Sequence, residues 1–320
     1  MFLVSEFDLI RRHFTRPTHH TDLGVGDDGA LFRLRPGMQL VVSTDMLVEG
    51  THFLPGTPAE DLGWKTLAVN LSDLAAMGAE PRWAVLAVAL PDADTAWISA
   101  FAAGFFACAE AHDVDVIGGD TTRGPRNLCP TVFGEVPTGQ AITRGGARPG
   151  DDLWITGAPG RAALGLAAQQ GRCELRAAHQ ESCIGALQRP VPRVAAGLGL
   201  RGLARAMLDV SDGLLGDLGH LLRASGTGAV LDATALPEAE LQAACGAPEL
   251  ARQTLLHGGD DYELLFAAPV EARPAIAALG ARLSLPMHRI GTFTARTGIE
   301  LVEVDGSRMP LTPRGFDHFA

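Results

Sequence analysis

The run "LAVNLSDLAAMGA", residues 67–79, places Leu67, Ala68, Leu71, Leu74, Ala75 and Ala79 at the spacing of a buried helix face. Thr66, Asn70 and Asp73 fall four and three apart within it, so they form a polar stripe along an otherwise apolar helix. A carboxylate in such a place is costly unless something positive meets it. Apolar runs of strand length follow in "LVVSTDML", "RWAVLAVAL", "VDVIGGD" and "TVFGEV", with helical spacing around 60–77 and 95–112. "MFLVSEFDLIRRHF" reads as a helix capped at Ser5, with Asp8 three residues on and Phe7, Ile10 and Phe14 on one face. The Gly- and Pro-rich "PTGQAITRGGARPGDD" is a connector. Beyond it the alternation resumes with "DLWITG", "RAALGLAAQQ", "AMLDVSDGLLGDLGHLLRA", "YELLFAAP" and a strand near 299–304. The pattern predicts two mixed α/β domains, 1–138 and 139–320, and leaves open whether their sheets are parallel or antiparallel.

With 320 residues, 47% of them hydrophobic, the chain can bury two ordinary cores. Its 37 acidic against 26 basic residues give a net charge of −11, which argues against nucleic acid as a partner. No apolar run approaches the ~20 residues of a membrane span, and the N-terminus lacks the pattern of a signal peptide. A soluble, cytoplasmic protein is expected. Cys108, Cys129, Cys173, Cys183 and Cys245 show no metal-ligand spacing and read as reduced, packed thiols. Lys65, in "GWKT", is the only lysine and lacks the glycines of a phosphate loop; pyridoxal and P-loop chemistry are excluded. "GLGLRG", residues 197–202, matches a dinucleotide fingerprint, but Pro190 and Pro192 before it rule out the strand that fingerprint needs.

Aspartates recur where strands end or glycine turns begin: "VGDDGA" (25–30), "STDML" (43–47), "IGGDTTRG" (117–124), "LDVSDGLLGD" (208–217) and "HGGDDYEL" (257–264). Any one is an ordinary turn aspartate; together with Asp73 they suggest a ligand at the strand ends. Converging carboxylates need a cation unless some are protonated, and oxygen donors without paired cysteines favour Mg²⁺, which completes its shell with substrate phosphates. Thr121, Thr122, Arg123 and Arg144 suit phosphate oxygens. The residues therefore point to a Mg²⁺-dependent enzyme acting on phosphates, with ATP the first candidate.

"GVGDDGALF", "VVSTDMLVEGTHF", "TLAVNLSDLAAMGAEP", "VIGGDTTRGP", "ITRGGARPGD", "LDVSDGLLGDLGHL", "GGDDYELLF" and the terminal "GFDHFA" resemble, in order and over nearly the whole chain, the thiamine-monophosphate kinase family. Its superfamily includes aminoimidazole ribonucleotide synthase and selenophosphate synthetase. The resemblance implies two α/β domains of the aminoimidazole ribonucleotide synthase type and a homodimer formed through the N-terminal sheets. It also implies Mg²⁺-dependent, direct in-line transfer of the ATP γ-phosphate to thiamine monophosphate, without a phosphoenzyme, and K⁺ as a further candidate ion. Carried over by motif, the metal ligands are Asp28, Ser43, Thr44, Asp45, Asp73, Asp120, Asp209 and Asp212. ATP contacts fall on Gly119, Asp120, Arg144 and Ser211, and substrate contacts on His52, Asp260 and Phe316. Asp45, Asp73, Asp120 and Arg144 carry the catalytic charge.

Asp73 is thereby assigned Mg²⁺ as its partner, with Asn70 and Thr66 supporting the ligands from behind; the competing reading is a polar network satisfied within the protein. Two departures stand out: Asp260 where the family often has Glu, and Phe316 where an aromatic, commonly Tyr, is found. Another ATP-dependent phosphotransferase or synthetase of the superfamily, or a non-catalytic nucleotide-binding relative, is the alternative. Selenophosphate synthesis fits poorly, because no Cys precedes Cys108 and no Lys accompanies Lys65.

Overall fold

A computed structural model describes residues 6–315; Ser5 and Phe316 lie outside the described residues. The first helical segment is a short α1 (Glu6–Leu9) that continues as a π-helical turn, Ile10–Phe14. Two compact units follow from the packing. One comprises the chain up to Leu74 with Ala79–Gly139, the other Ala75–Gly78 and the chain from Gln140 onward.

In the first unit a small ladder, β1 (Thr21–Leu23) with β2 (Leu31–Phe32), precedes a five-stranded sheet. That sheet contains β3 (Met38–Thr44), β4 (Leu47–Val48), β5 (Glu80–Leu90), β6 (Asp115–Arg123) and β7 (Asn127–Pro137). The order is β3-β7-β5-β6, with β4 beside β7. Only β5 and β6 run parallel, and the connection between them is α3 (Thr95–Ala111), the crossover a parallel pair requires. Asp94 starts α3 by accepting hydrogen bonds from the N–H groups of Ala96 and Trp97 at 2.9 and 3.2 Å. The buried face expected on α2 (Ala59–Ala76) is present, since Leu67, Ala68, Leu71, Leu74 and Ala75 are buried, and Thr66 and Asn70 are buried with them.

Along β3 the side chains alternate. Val41 is buried, whereas Leu40 and Val42 are 40% and 51% exposed on the opposite face. Phe133 of β7 pairs with Val42 and Trp83 of β5 with Phe133, so that outward face carries an apolar row. Phe32 stacks on Trp83 with ring centroids 4.2 Å apart.

The second unit is built on a seven-stranded sheet of order β14-β13-β10-β12-β8-β11-β9. Its strands are β8 (Asp152–Thr156), β9 (Ala206–Val210), β10 (Gly228–Asp232), β11 (Glu263–Ala268), β12 (Met287–Thr294), β13 (Gly298–Val302) and β14 (Arg308–Leu311). β10 and β13 are parallel and the remaining pairs antiparallel. The helices are α4 (Arg161–Gln169), α5 (Ala177–Gln188), α6 (Val194–Leu200), α7 (Leu214–Ser225), α8 (Ala239–Cys245), α9 (Pro248–His257) and α10 (Arg273–Leu283). Leu153, Ile155, Leu208, Val210, Leu218, Leu221, Leu265 and Phe293 form the centre of the core. Each such side chain removed from water contributes about 1.5–3 kcal/mol before entropic costs.

Both sheets are thus mixed, which resolves the question alternation left open. "GLGLRG" lies in and just after α6, not behind a strand. A Cβ on Gly197 would come within 2.0 Å of the Ala75 carbonyl oxygen, so this glycine serves close backbone packing.

Candidate active site

In the N-terminal unit the end of β3 faces α2. Ser43 Oγ donates to Asp73 Oδ2 at 2.6 Å, and Asn70 Oδ1 accepts the backbone N–H of Asp45 at 2.9 Å. The helix stripe therefore grips the S-T-D strand end at two points. Asn70 thus reaches the backbone of Asp45, whereas the Thr66 hydroxyl donates to the Leu62 carbonyl of its own helix at 2.7 Å. Thr44 turns to the other face of β3, where its Oγ1 donates to the Pro130 carbonyl at 2.9 Å. Ser43 and Thr44 thus cannot offer their side chains to one point, as strand geometry demands.

Asp120 departs from expectation. It lies inside β6, opposite Ala87 of β5, and β6 runs on through Arg123. Register shifts between Ala84 and Val85, where β6 advances from Val116 to Gly118 and leaves Ile117 as an extra residue. Cross-strand rows then place Asp120 with Ala87 and Cys129, on the face that carries Thr44 and Val42. The sheet of one chain does not bring Asp120 to Ser43 and Asp73. Gly119 must be glycine: at φ +155°, a Cβ would lie 1.9 Å from the Leu86 carbonyl oxygen.

Asp28 sits exposed in its turn, its N–H donating to Asp27 Oδ1 at 2.9 Å. His52 Nδ1 accepts the Val48 N–H at 3.0 Å. In the neutral ring this fixes the proton on Nε2.

In the C-terminal unit "LDVSDG" forms the end of β9 and the turn into α7. Asp209 is 7% exposed and pairs across to Leu264 of β11. Ser211 and Asp212 follow, and their backbone N–H groups donate to Asp217 Oδ2 at 3.1 and 3.0 Å. Burial pushes the Asp217 carboxyl up to about 7, with the Asp212 charge adding to the rise and the two N–H donors and Arg144 opposing it. Arg144 also lowers the His220 pKa, after burial and Arg223. Ser211, Asp212, Asp217, His220 and Arg144 therefore share one electrostatic neighbourhood.

"GGDDYEL" lies against this loop. The Asp260 N–H donates to the Ser211 carbonyl at 2.9 Å, and Tyr262 Oη donates to Asp260 Oδ1 at 3.0 Å. Asp260 has φ +67°, a conformation Asp tolerates better than most residues. Asp261 is different: its carboxylate accepts the N–H groups of Gly160 and Ala162 at the start of α4, at 2.5 and 3.2 Å. Burial holds its pKa well above the usual carboxylate range. Sequence reasoning assigned neither Asp217 nor Asp261 a role, and turn composition offers no signal that separates them from Asp212 and Asp260. Among the described residues no three His, Cys, Asp or Glu side chains gather closely enough to hold an ion by themselves. No helix among them is long and apolar enough to cross a membrane.

Residues 26–136 match the AIR synthase related protein, N-terminal domain, and residues 148–303 the AIR synthase related protein, C-terminal domain. The thiamine-monophosphate kinase of Escherichia coli is 44% identical over 321 residues, covering 99% of this chain and 98% of the relative. The chain belongs to the thiamine-monophosphate kinase family. Within that kinase family, the crystal structure from Stenotrophomonas maltophilia matches at TM-score 0.83 and 47% identity, covering 93% of this chain and 95% of that one. AaThiL complexed with AMPPCP and TMP matches at TM-score 0.75 and 28% identity, covering 100% and 99%.

Proposed function

We propose that the chain transfers the γ-phosphate of ATP to the phosphate of thiamine monophosphate, giving thiamine diphosphate and ADP. The observation that carries this reading is full-length membership of the kinase family. The S-T-D strand end tied to Asp73 and Asn70 supports it, as does a relative solved with AMPPCP, an ATP analogue, and TMP. A phosphate oxygen of thiamine monophosphate forms the new bond to the γ-phosphorus while the bond to the β-phosphate oxygen breaks and its electrons leave with ADP. The acceptor is already anionic, so no base and no phosphohistidine at His52 is required. His52, protonated on Nε2, offers a donor to the substrate phosphate; Gly119 and Ser211 contact the nucleotide, and Arg144 offsets charge on the transferred group. Asp260 and Phe316 contact the thiamine side.

Asp28, Ser43, Thr44, Asp45, Asp73, Asp120, Asp209 and Asp212 would hold several Mg²⁺ ions. The donor set fits such an ion, because every proposed donor is a hard oxygen. The Cys129 thiol, 3.7 Å from Thr44 Oγ1, lies on the other sheet face from the Ser43–Asp73 pair. Too few carboxylates gather to hold an ion alone, which suits one that keeps waters and takes ligands from phosphates. When bound, Mg²⁺ supplies the charge neutralisation that lets one phosphate approach another.

We assign residues 1–138 to the nucleotide, Mg²⁺ and dimerisation domain and 139–320 to the second α/β domain. Leu40, Val42 and Phe133, on the outward face of the N-terminal sheet, suit a homodimer. Use of ATP and five free cysteines suit the cytoplasm. The test is to mix protein, Mg²⁺, ATP and thiamine monophosphate, with and without K⁺, and assay thiamine diphosphate. ATP consumption independent of thiamine monophosphate, or no product, overturns the reading.

A further inference from the structure

One buried carboxylate beside the candidate nucleotide residues has no role in the phosphoryl transfer proposed for the chain. Asp217, 6% exposed on the first turn of α7, holds two successive backbone N–H groups on a single oxygen, those of Ser211 and Asp212. The carbonyl side of the same stretch is held as well. Ser211 C=O accepts from the Asp260 N–H, and Val210 C=O from the Tyr262 N–H, each at 2.9 Å. Residues 210–212 are thus tied on both edges.

Two adjacent N–H groups before a helix are what a phosphate ordinarily occupies. Here an internal carboxylate occupies them, so what Ser211 and Asp212 offer a nucleotide is their side chains. Their directions depend on the backbone that Asp217 holds.

We propose that Asp217 is a positioning residue whose carboxylate sets the Ser211–Asp212 backbone, so that the Ser211 hydroxyl and the Asp212 carboxylate meet Mg²⁺-ATP in one geometry. This rests on the kinase reading above for the ligand, not for the arrangement. Asp217→Ala removes the tie and leaves two N–H groups without their acceptor. Asp217→Asn keeps an oxygen of nearly the same position without the charge.

The measurements are Mg²⁺-ATP affinity by calorimetry in the absence of thiamine monophosphate, and the KM for each substrate. Asp217→Ala should weaken Mg²⁺-ATP about tenfold or more, the range seen when a group supporting metal ligands is lost. The KM for thiamine monophosphate should move less than about twofold, and Asp217→Asn should recover most of the loss. If the Ala variant does not fold, the Asn variant decides: its Mg²⁺-ATP affinity should fall about two- to fivefold at an unchanged KM for thiamine monophosphate. A lowered melting temperature with unchanged Mg²⁺-ATP affinity, or two KM values rising in proportion, overturns the proposal. Because the calorimetry needs no turnover, a parent protein that binds Mg²⁺-ATP but makes no thiamine diphosphate would refute the kinase reading and leave Asp217 tested.

Discussion

Asp73→Asn removes one charge from α2 and almost no volume. In the folded chain Asp73 accepts the Ser43 hydroxyl at 2.6 Å. Bonds to charged groups contribute about 1.5–3 kcal/mol and neutral ones about 1. Asn can still accept from Ser43, so stability without metal should fall by about 1 kcal/mol, or about 2–4 °C for a domain of this size. Catalysis should suffer far more. Losing one fixed electrostatic group at a charge-developing centre costs about 10²–10³ in rate. Ser43→Ala loses the same hydrogen bond and keeps the Asp73 charge; it should match the stability loss and, because Ser43 is itself a proposed metal donor, lower turnover too, but less than Asp73→Asn does. The assay is kcat/KM across a Mg²⁺ titration, with melting curves in EDTA. A melting temperature lower by more than about 10 °C with activity within about threefold of the parent would refute the reasoning and make Asp73 a structural anchor.

Gly119→Ala should destabilise the N-terminal unit sharply, because the Cβ meets the Leu86 carbonyl oxygen at 1.9 Å; a melting temperature within about 2 °C of the parent would show that β6 can shift. Asp261 keeps its proton in the folded chain at pH values where the unfolded chain, near 3.8, has lost it. Its contribution is therefore greatest at low pH and falls as pH rises through the raised pKa, so Asp261→Asn should flatten the decline in melting temperature as pH rises above the ordinary carboxylate range. Asp260→Asn should raise the KM for thiamine monophosphate more than that for ATP, since a carboxylate attracts the thiazolium charge; an ATP-selective effect would move Asp260 to the metal side. Asp260→Glu is less benign than its charge suggests, because Glu tolerates φ +67° less well than Asp.

Hydrophobic spacing located the helix over 60–77 and most strands within a few residues, since each buries one face or both. The connector was legible in its glycines and prolines, as β7 ends at Pro137 and β8 begins at Asp152. Strand direction was not, because β5 pairs β6 in parallel and β7 antiparallel with the same apolar pattern. The face of Asp120 was hidden for another reason. Its orientation follows the extra residue Ile117, and a one-residue shift reverses every side chain after it. At the site, the stripe of Thr66, Asn70 and Asp73 could be read from spacing, but which hydroxyl or amide reached a partner depended on β3, far away in sequence.

The recurring aspartates divide by what their oxygens meet. Asp115 accepts the N–H groups of His19 and His20 and the Thr21 hydroxyl, at 2.8, 2.6 and 2.7 Å. Asp217 and Asp261 likewise accept pairs of backbone N–H groups. Each therefore fixes a segment next to a proposed ligand residue: the arm leading to Asp28, the Ser211–Asp212 turn, and the stretch containing Asp260. Leaving one such buried N–H unmet costs about 1–3 kcal/mol, so these carboxylates hold the chain even where they are costly to ionise. The aspartates next to them are the ones proposed to meet Mg²⁺ or the thiazolium charge. On the proposed reading the same residue type meets two demands, one from the backbone and one from Mg²⁺. Composition and turn spacing cannot tell them apart, because Asp suits both; only the donor that reaches each oxygen does.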